Sequence, residues 1–186
     1  MESNKFIFTV TGSDRPGIIA LISKALKELD CNIENVSQVV FDNIFASIFL
    51  IAGQSNLTKS YLLDFLSEKI SPFDLEVFAK KIENKIEKKE PAESEPFIIT
   101  IQSPDKKKIL VDITAFIAKY NINIRSLSGV FQDQDKENEN IAILEVDVPK
   151  DISLIKLKKE MNDVADRQCL KVNMQHKDIF SAINRI

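Results

Sequence analysis

The sequence predicts an α+β protein made of two consecutive βαββαβ units, and three observations predict it. The 186-residue chain contains an internal repeat: Phe6-Ile-Phe-Thr-Val recurs as Phe97-Ile-Ile-Thr-Ile, and the alignment runs without a gap to Val39 over Val130. Along it Asp14 meets Asp105, Ile18 meets Ile109, Ile22 meets Ile113, Asn32-Ile33 meets Asn123-Ile124 and Ser37 meets Ser128. In each copy, β-branched and aromatic runs alternate with segments whose apolar residues recur every three or four positions. Finally, 44% hydrophobic and 28% charged residues are an ordinary globular mixture, enough for packed cores.

In the first copy, Lys5 to Thr11 is β-rich and is closed by the turn signal Gly12-Ser13-Asp14. Ile18, Ile19, Ile22, Ala25, Leu26 and Leu29 then form one apolar helix face. Pro16 suits a first helical turn, where its missing N–H costs nothing, and Ser13 or Asp14 is expected to cap. Asn32 to Phe41 and Ile44 to Ala52 are strands joined by Asp42-Asn43, a hairpin signal that favours antiparallel pairing. Leu57, Tyr61, Leu62, Phe65, Leu66 and Ile70 mark a second helix, and Phe73 to Lys81 a fourth strand.

The segment from Asn84 to Pro96 is charged, carries Pro91 and Pro96 and lacks apolar periodicity, as an exposed connection does. Domains are therefore expected at 1–88 and 96–186, with 89–95 as linker. The second copy repeats the order: strand Phe97 to Gln102, helix Ile109 to Tyr120, strands Ile122 to Phe131 and Ile141 to Val148, helix Leu154 to Val164, strand Cys169 to Met174. Gln132 to Asn140 is polar enough to be a solvated loop. Asp178 to Ile186 is expected to form a short helical tail, capped by Asp178 and packed through Ile179, Phe180 and Ile183.

Four antiparallel strands with both helices on one face make a ferredoxin-like layer, a fold that hosts many functions, so function has to come from a site. Several classes are disfavoured. An RNA recognition motif would carry stacking aromatics in a glycine-rich, basic third strand, whereas Ile44-Phe-Ala-Ser-Ile-Phe-Leu-Ile has neither feature. A metal carrier would pair cysteines in the first loop, which has none; Cys31 and Cys169 lie far apart and read as small buried hydrophobes. No metal or other cofactor is therefore expected. The net charge of −3 and the lack of a helix-turn-helix pattern argue against direct nucleic-acid binding. The single histidine, His176, reads as a polar or tail-docking residue and leaves little for acid–base catalysis, so the chain is read as no enzyme. With no apolar run of about 18 residues and no hydrophobic leader, a cytoplasmic location without membrane contact is expected.

What remains is the loop Thr11-Gly-Ser-Asp-Arg-Pro-Gly-Ile18, followed by Asn32-Ile33-Glu34-Asn35. Gly12 permits a tight turn, and Gly17 removes side-chain bulk where a ligand could approach the backbone. Unpaired N–H groups at a helix start attract a carboxylate, while Asp14 and the amide oxygens of Asn32 or Asn35 could meet an ammonium group. Together these groups suit an amino-acid zwitterion. Each also has a structural reading, with Asp14 a cap, Arg15 a solvated cation, the glycines turn formers and the asparagines strand-edge caps.

The combination resembles the ACT domain, a small-molecule-sensing module, through Gly12-Ser-Asp-Arg-Pro-Gly-Ile18, the amphipathic helix after it and Asn32-Ile33. The resemblance covers both copies, although Ser103-Pro-Asp-Lys-Lys-Lys-Ile109 has lost both glycines. It implies amino-acid binding at an interface between copies, with first-loop and second-strand residues of different copies sharing one pocket. The implied ligand residues are Gly12, Ser13, Asp14, Arg15, Gly17, Asn32 and Asn35, with Asp105, Asn123 and Ser126 keeping compatible chemistry in the second copy. The expected function is sensing of a glycine- or serine-like amino acid and control of transcription through contact with a DNA-binding regulator. The alternative is a subunit giving feedback to a metabolic enzyme. Exposed sheet edges and helix faces make a homodimer an expectation as well.

Overall fold

In the computed structural model, residues 3–83, 93–103, 110–130 and 140–183 are described, Ile183 by its backbone alone. The chain divides into two compact units, residues 1–87 and 88–186. The first contains β1 (Asn4–Ser13), α1 (Ile18–Glu28), β2 (Asn32–Phe41), β3 (Ile44–Gly53), α2 (Lys59–Ile70), a 3-10 turn (Ser71–Phe73) and β4 (Leu75–Ile82). The second contains β5 (Ser94–Ser103), α3 (Val111–Lys119), β6 (Asn123–Val130), β7 (Asn140–Pro149), α4 (Leu154–Arg167), β8 (Lys171–His176) and α5 (Lys177–Ile183). Both sheets are antiparallel, in the orders β2-β3-β1-β4 and β6-β7-β5-β8. The predicted α+β class and tandem βαββαβ order are what the protein has.

Alternation sets the two faces of each sheet. Phe6, Phe8 and Val10 of β1 and Phe45, Phe49 and Ile51 of β3 turn to one side, where Ile22, Leu26, Leu62 and Leu66 of the helices complete the core. Phe8 and Phe49 stack there, with ring centroids 4.8 Å apart. In the second unit Ile99, Ile101, Leu144 and Val146 meet Ile113, Ile117, Leu157 and Met161 in the same way. The Asp42-Asn43 turn has positive φ at both residues (46° and 68°), as a two-residue hairpin whose twist matches its strands requires.

The helix ends explain several boundaries that periodicity alone misplaces. Asp30, Asn121 and Cys169 all adopt the left-handed conformation just beyond α1, α3 and α4, with φ of 53°, 53° and 56°. After each, the next residue's N–H bonds back across the last turn, from Cys31 to Leu26 O, from Ile122 to Ile117 O and from Leu170 to Ala165 O. Cys169 is thus an exposed helix terminator rather than the buried start of a strand, and β8 begins only at Lys171. Cys31 is only half-buried; burial pushes its thiol pKa up, which leaves it a poor nucleophile.

Other expectations are corrected too. Phe73 belongs to the 3-10 turn and not to β4. Asn140, expected in the solvated loop, is buried as the first residue of β7 and donates to Ser103 O at 3.1 Å; Gln132 to Glu139 lie outside the described residues. Most of the expected linker does as well, while Ser94 and Glu95 already pair with Pro149 and Val148. Asp178 does not cap α5; it lies inside the first turn and its N–H is accepted by His176 Nδ1 at 3.3 Å. Ile179 stays 55% exposed, and the side chain of Ile183 is outside the described ones. The tail helix packs against β5 and β8, on the face opposite the core, where Lys177 Nζ meets Glu145 at 2.6 Å and Ile98 becomes buried.

Candidate functional site

The loop between β1 and α1 is fastened to the turn that precedes β4. Gly12 has φ +154°, and a Cβ there would lie 2.2 Å from Asp74 O, so a close approach of backbone to backbone requires glycine. Ser13 Oγ donates to Asp74 Oδ2 at 3.3 Å. Arg15 Nη2 donates to Phe73 O at 2.7 Å, and its guanidinium lies 5.4 Å from the Phe73 ring centroid. Gly12, Ser13 and Arg15 therefore have intramolecular partners, and it is Phe73 and Asp74 that sequence reasoning missed. The available signal was Ser71-Pro72-Phe73-Asp74, a Pro turn ending on a residue type that tolerates the left-handed conformation Asp74 adopts (φ 52°).

Asp14 and Gly17 are placed differently. The Asp14 backbone N–H is fixed by Asn43 O at 2.8 Å, while its side chain is exposed. Gly17, with φ +97°, is the N-cap of α1, and among the described residues no atom lies within 4 Å of where a Cβ would stand. No side chain caps α1, whereas Thr58 caps α2 and Ser153 caps α4. The expected caps fail because Ser13 is still paired with Ile44 in the sheet, and a cap must immediately precede the first helical residue. Pro16 likewise stops short of the helix, in the turn before Gly17.

Asn32 and Asn35 lie at the opposite end of the same sheet. Asn35 is level with Leu50 while Ser13 is level with Ile44, a separation of about 20 Å along β3. Within one unit the first loop and the β2 asparagines cannot contact one small ligand. A bulge at Glu34 turns that carboxylate to Lys5 Nζ, 2.8 Å away, and Gln54 Nε2 donates to Asp30 Oδ2 at 2.9 Å. Glu34, Asp30 and Gln54 border an open polar cleft of ≈ 700 Å³ that Asn32 and Ser55 also line.

The second copy repeats the bulge at the matching position with opposite charge: Arg125 Nε meets both carboxylate oxygens of Asp147, at 2.7 and 2.6 Å. Asn123 and Ser126 flank it, exposed, on the face away from the core. Asp105 and the three lysines after it lie outside the described residues. His176 packs edge-on against Phe97, with ring centroids 5.3 Å apart. Among the described residues no group of three or more His, Cys, Asp or Glu side chains is placed to hold a metal ion. No described helix is long and apolar enough to cross a membrane.

The βαββαβ layer is the fold of an ACT domain, and the ACT domain profile matches residues 4–80, within the first unit. The chain belongs to the UPF0237 family of ACT-domain proteins. It is 40% identical over 70 residues to a UPF0237 protein of Corynebacterium glutamicum, an alignment taking in 38% of this chain and 75% of that one. With the UPF0237 protein of Neisseria meningitidis serogroup B it shares 33% identity over 75 residues, 40% of this chain and 83% of the other. The match to the Methanopyrus kandleri member is shorter, 49% over 45 residues, and spans half of that relative. Two crystal structures share the fold across the tandem. An unknown protein from Galdieria sulphuraria superposes with a TM-score of 0.77 at 20% identity, covering 94% of this chain and 99% of that one. A candidate glycine cleavage system transcriptional repressor superposes with a TM-score of 0.70 at 20% identity, covering 94% and 98%.

Proposed function

We propose that the protein is a non-catalytic amino-acid sensor that regulates a partner protein, with the first-copy loop as the ligand-binding element. The observation that carries this reading is the start of α1: an uncapped helix N-terminus on Gly17, open around the missing Cβ, with the Asp14 carboxylate nearby in the loop. Backbone N–H groups there favour the ligand's carboxylate, and Asp14 its ammonium. Because the β2 asparagines are about 20 Å or more away along the sheet, they are not part of this site within the unit, and the α1 start and Asp14 carry the binding. A ligand that binds one arrangement better biases it by the difference in affinity, which is the basis of regulation.

Glycine, with five non-hydrogen atoms, reaches at most about −7.5 kcal/mol, or micromolar affinity, which suits a metabolite abundant in cells. A glycine- or serine-like ligand and a DNA-binding transcription regulator as partner complete the reading; the likeness to the candidate repressor is consistent with it. Calorimetry and melting shifts with a panel of amino acids test it. A responding amino acid should raise the melting temperature of the wild type, the stabilisation reaching about 2.7 kcal/mol at a hundred times its dissociation constant. Asp14→Ala should abolish most of that shift while leaving the unliganded melting temperature near that of wild type. A panel without any response would overturn the proposal, and recovery of a metabolic enzyme instead of a transcription factor in a pull-down would redirect it to enzyme feedback.

A further inference from the structure

The outer face of the first sheet, opposite its helices, carries an uncovered apolar surface. Phe78 of β4 is 64% exposed, Phe41 of β2 69% and Ile44 of β3 50%, with Ile48 and Val39 also exposed. Adjoining them, Ile7, Ala46 and Leu50 are half-buried on the same face. The corresponding face of the second sheet differs: α5 packs over β5 and β8, and the Arg125–Asp147 and Lys177–Glu145 pairs occupy it. A contiguous apolar face of this extent marks a contact surface.

The charge pattern of β4 on this face is self-complementary. Ser37, Ile48, Thr9 and Phe78 are in register across all four strands. On β4, Glu76 stands two residues to one side of Phe78 and Lys80 two residues to the other, all three exposed. Neither Glu76 nor Lys80 forms an ion pair with another described residue. A twofold axis across the strands through the Ser37–Ile48–Thr9–Phe78 row sets Phe78 on its own symmetry mate. The same operation puts each Glu76 opposite a Lys80 and leaves no like charges of that strand facing each other. Such a contact is isologous and closes as a dimer. Three strands of ten residues and one of eight present about 600 Å² per copy, so two stacked sheets bury about 1,200 Å², the lower bound for a stable interface.

We propose that the first sheet's outer face binds the same face of a second copy of this chain, stacked sheet on sheet and aligned by reciprocal Glu76–Lys80 pairs. This rests on β2, β3, β1 and β4 alone and is independent of any ligand at the α1 loop. Sedimentation equilibrium of the full chain, without added amino acid, tests it. Wild type should dimerise, and Phe78→Glu should be monomeric with an unchanged circular dichroism spectrum, since Phe78 is not part of the core. Glu76→Lys and Lys80→Glu should each raise the dimer dissociation constant roughly tenfold, and the double exchange should restore it. A wild type that stays monomeric at millimolar concentration, a dimer indifferent to Phe78→Glu, or a double exchange no better than either single change would each overturn the proposal. So would hydroxyl-radical footprinting that finds Phe41 and Phe78 protected in a monomer, which would assign the face to a contact within one chain.

Discussion

Two glycines five residues apart do different work in the first loop, and the difference is measurable. Gly12 and Gly17 both have positive φ, but only Gly12 has a backbone oxygen where a Cβ would go. Gly12→Ala therefore combines conformational strain with a clash against Asp74 O and should cost about 3 kcal/mol in urea unfolding. Gly17→Ala meets no atom and should cost only the left-handed penalty of about 1 kcal/mol. If the loop binds ligand, Gly17→Ala should also weaken binding by more than its effect on stability suggests, since the added methyl fills the open approach to the helix start. The sequence showed both glycines as turn formers beside a possible ligand. Which one faces backbone and which faces open space depends on Phe73 and Asp74, some 60 residues further along, a proximity no local pattern encodes.

At the scale of elements, strands and helices were legible almost residue for residue where a turn signal bounded them, as β2 and its Asp42-Asn43 hairpin show. Helix ends were harder. Asp30, Asn121 and Cys169 occupy a position where glycine is the usual residue, so the terminators of α1, α3 and α4 carried no glycine to read. Contacts between helices were not legible at all. Tyr120, at the end of α3, donates its phenol proton to Glu160 Oε2 of α4 at 2.6 Å. That bond holds Glu160 below the usual carboxylate pKa and Tyr120 above the usual phenol pKa. The lowered carboxylate contributes stability above its ordinary range, lost as pH falls through the lowered value; the raised phenol contributes below its ordinary value, lost as pH rises through the raised one. Tyr120→Phe should accordingly lower stability by a constant amount around neutral pH, with the gap to wild type closing at both the acid and the alkaline end of a series of urea melts.

For the whole molecule, duplication gives two separate cores, one under each sheet. Leu66 and Leu144 are both fully buried, one in each core. Leu66→Ala should cost about 2 to 5 kcal/mol in the first unit and Leu144→Ala a similar amount in the second. Hydrogen exchange should therefore accelerate across residues 4–82 in the first variant and across 94–176 in the second, with the other unit retaining its protection. The same scale limits the candidate site: residues read from the sequence as one zwitterion pocket stand at opposite ends of a sheet, so they do not form one pocket within a unit.

By itself the sequence determined the tandem repeat, the strand and helix order, the antiparallel hairpins and the apolar face of each helix, because these follow from spacing and turn chemistry within a few tens of residues. Tertiary structure alone decided that Arg15 and Ser13 are tied to the Phe73–Asp74 turn, that α1 starts uncapped, that Asn35 lies about 20 Å from the loop, and that one sheet keeps an open apolar face while the other is partly covered by α5. The reason is physical: periodicity fixes which side of an element is apolar, but strand order and register, set by packing over long sequence separations, decide what each side meets.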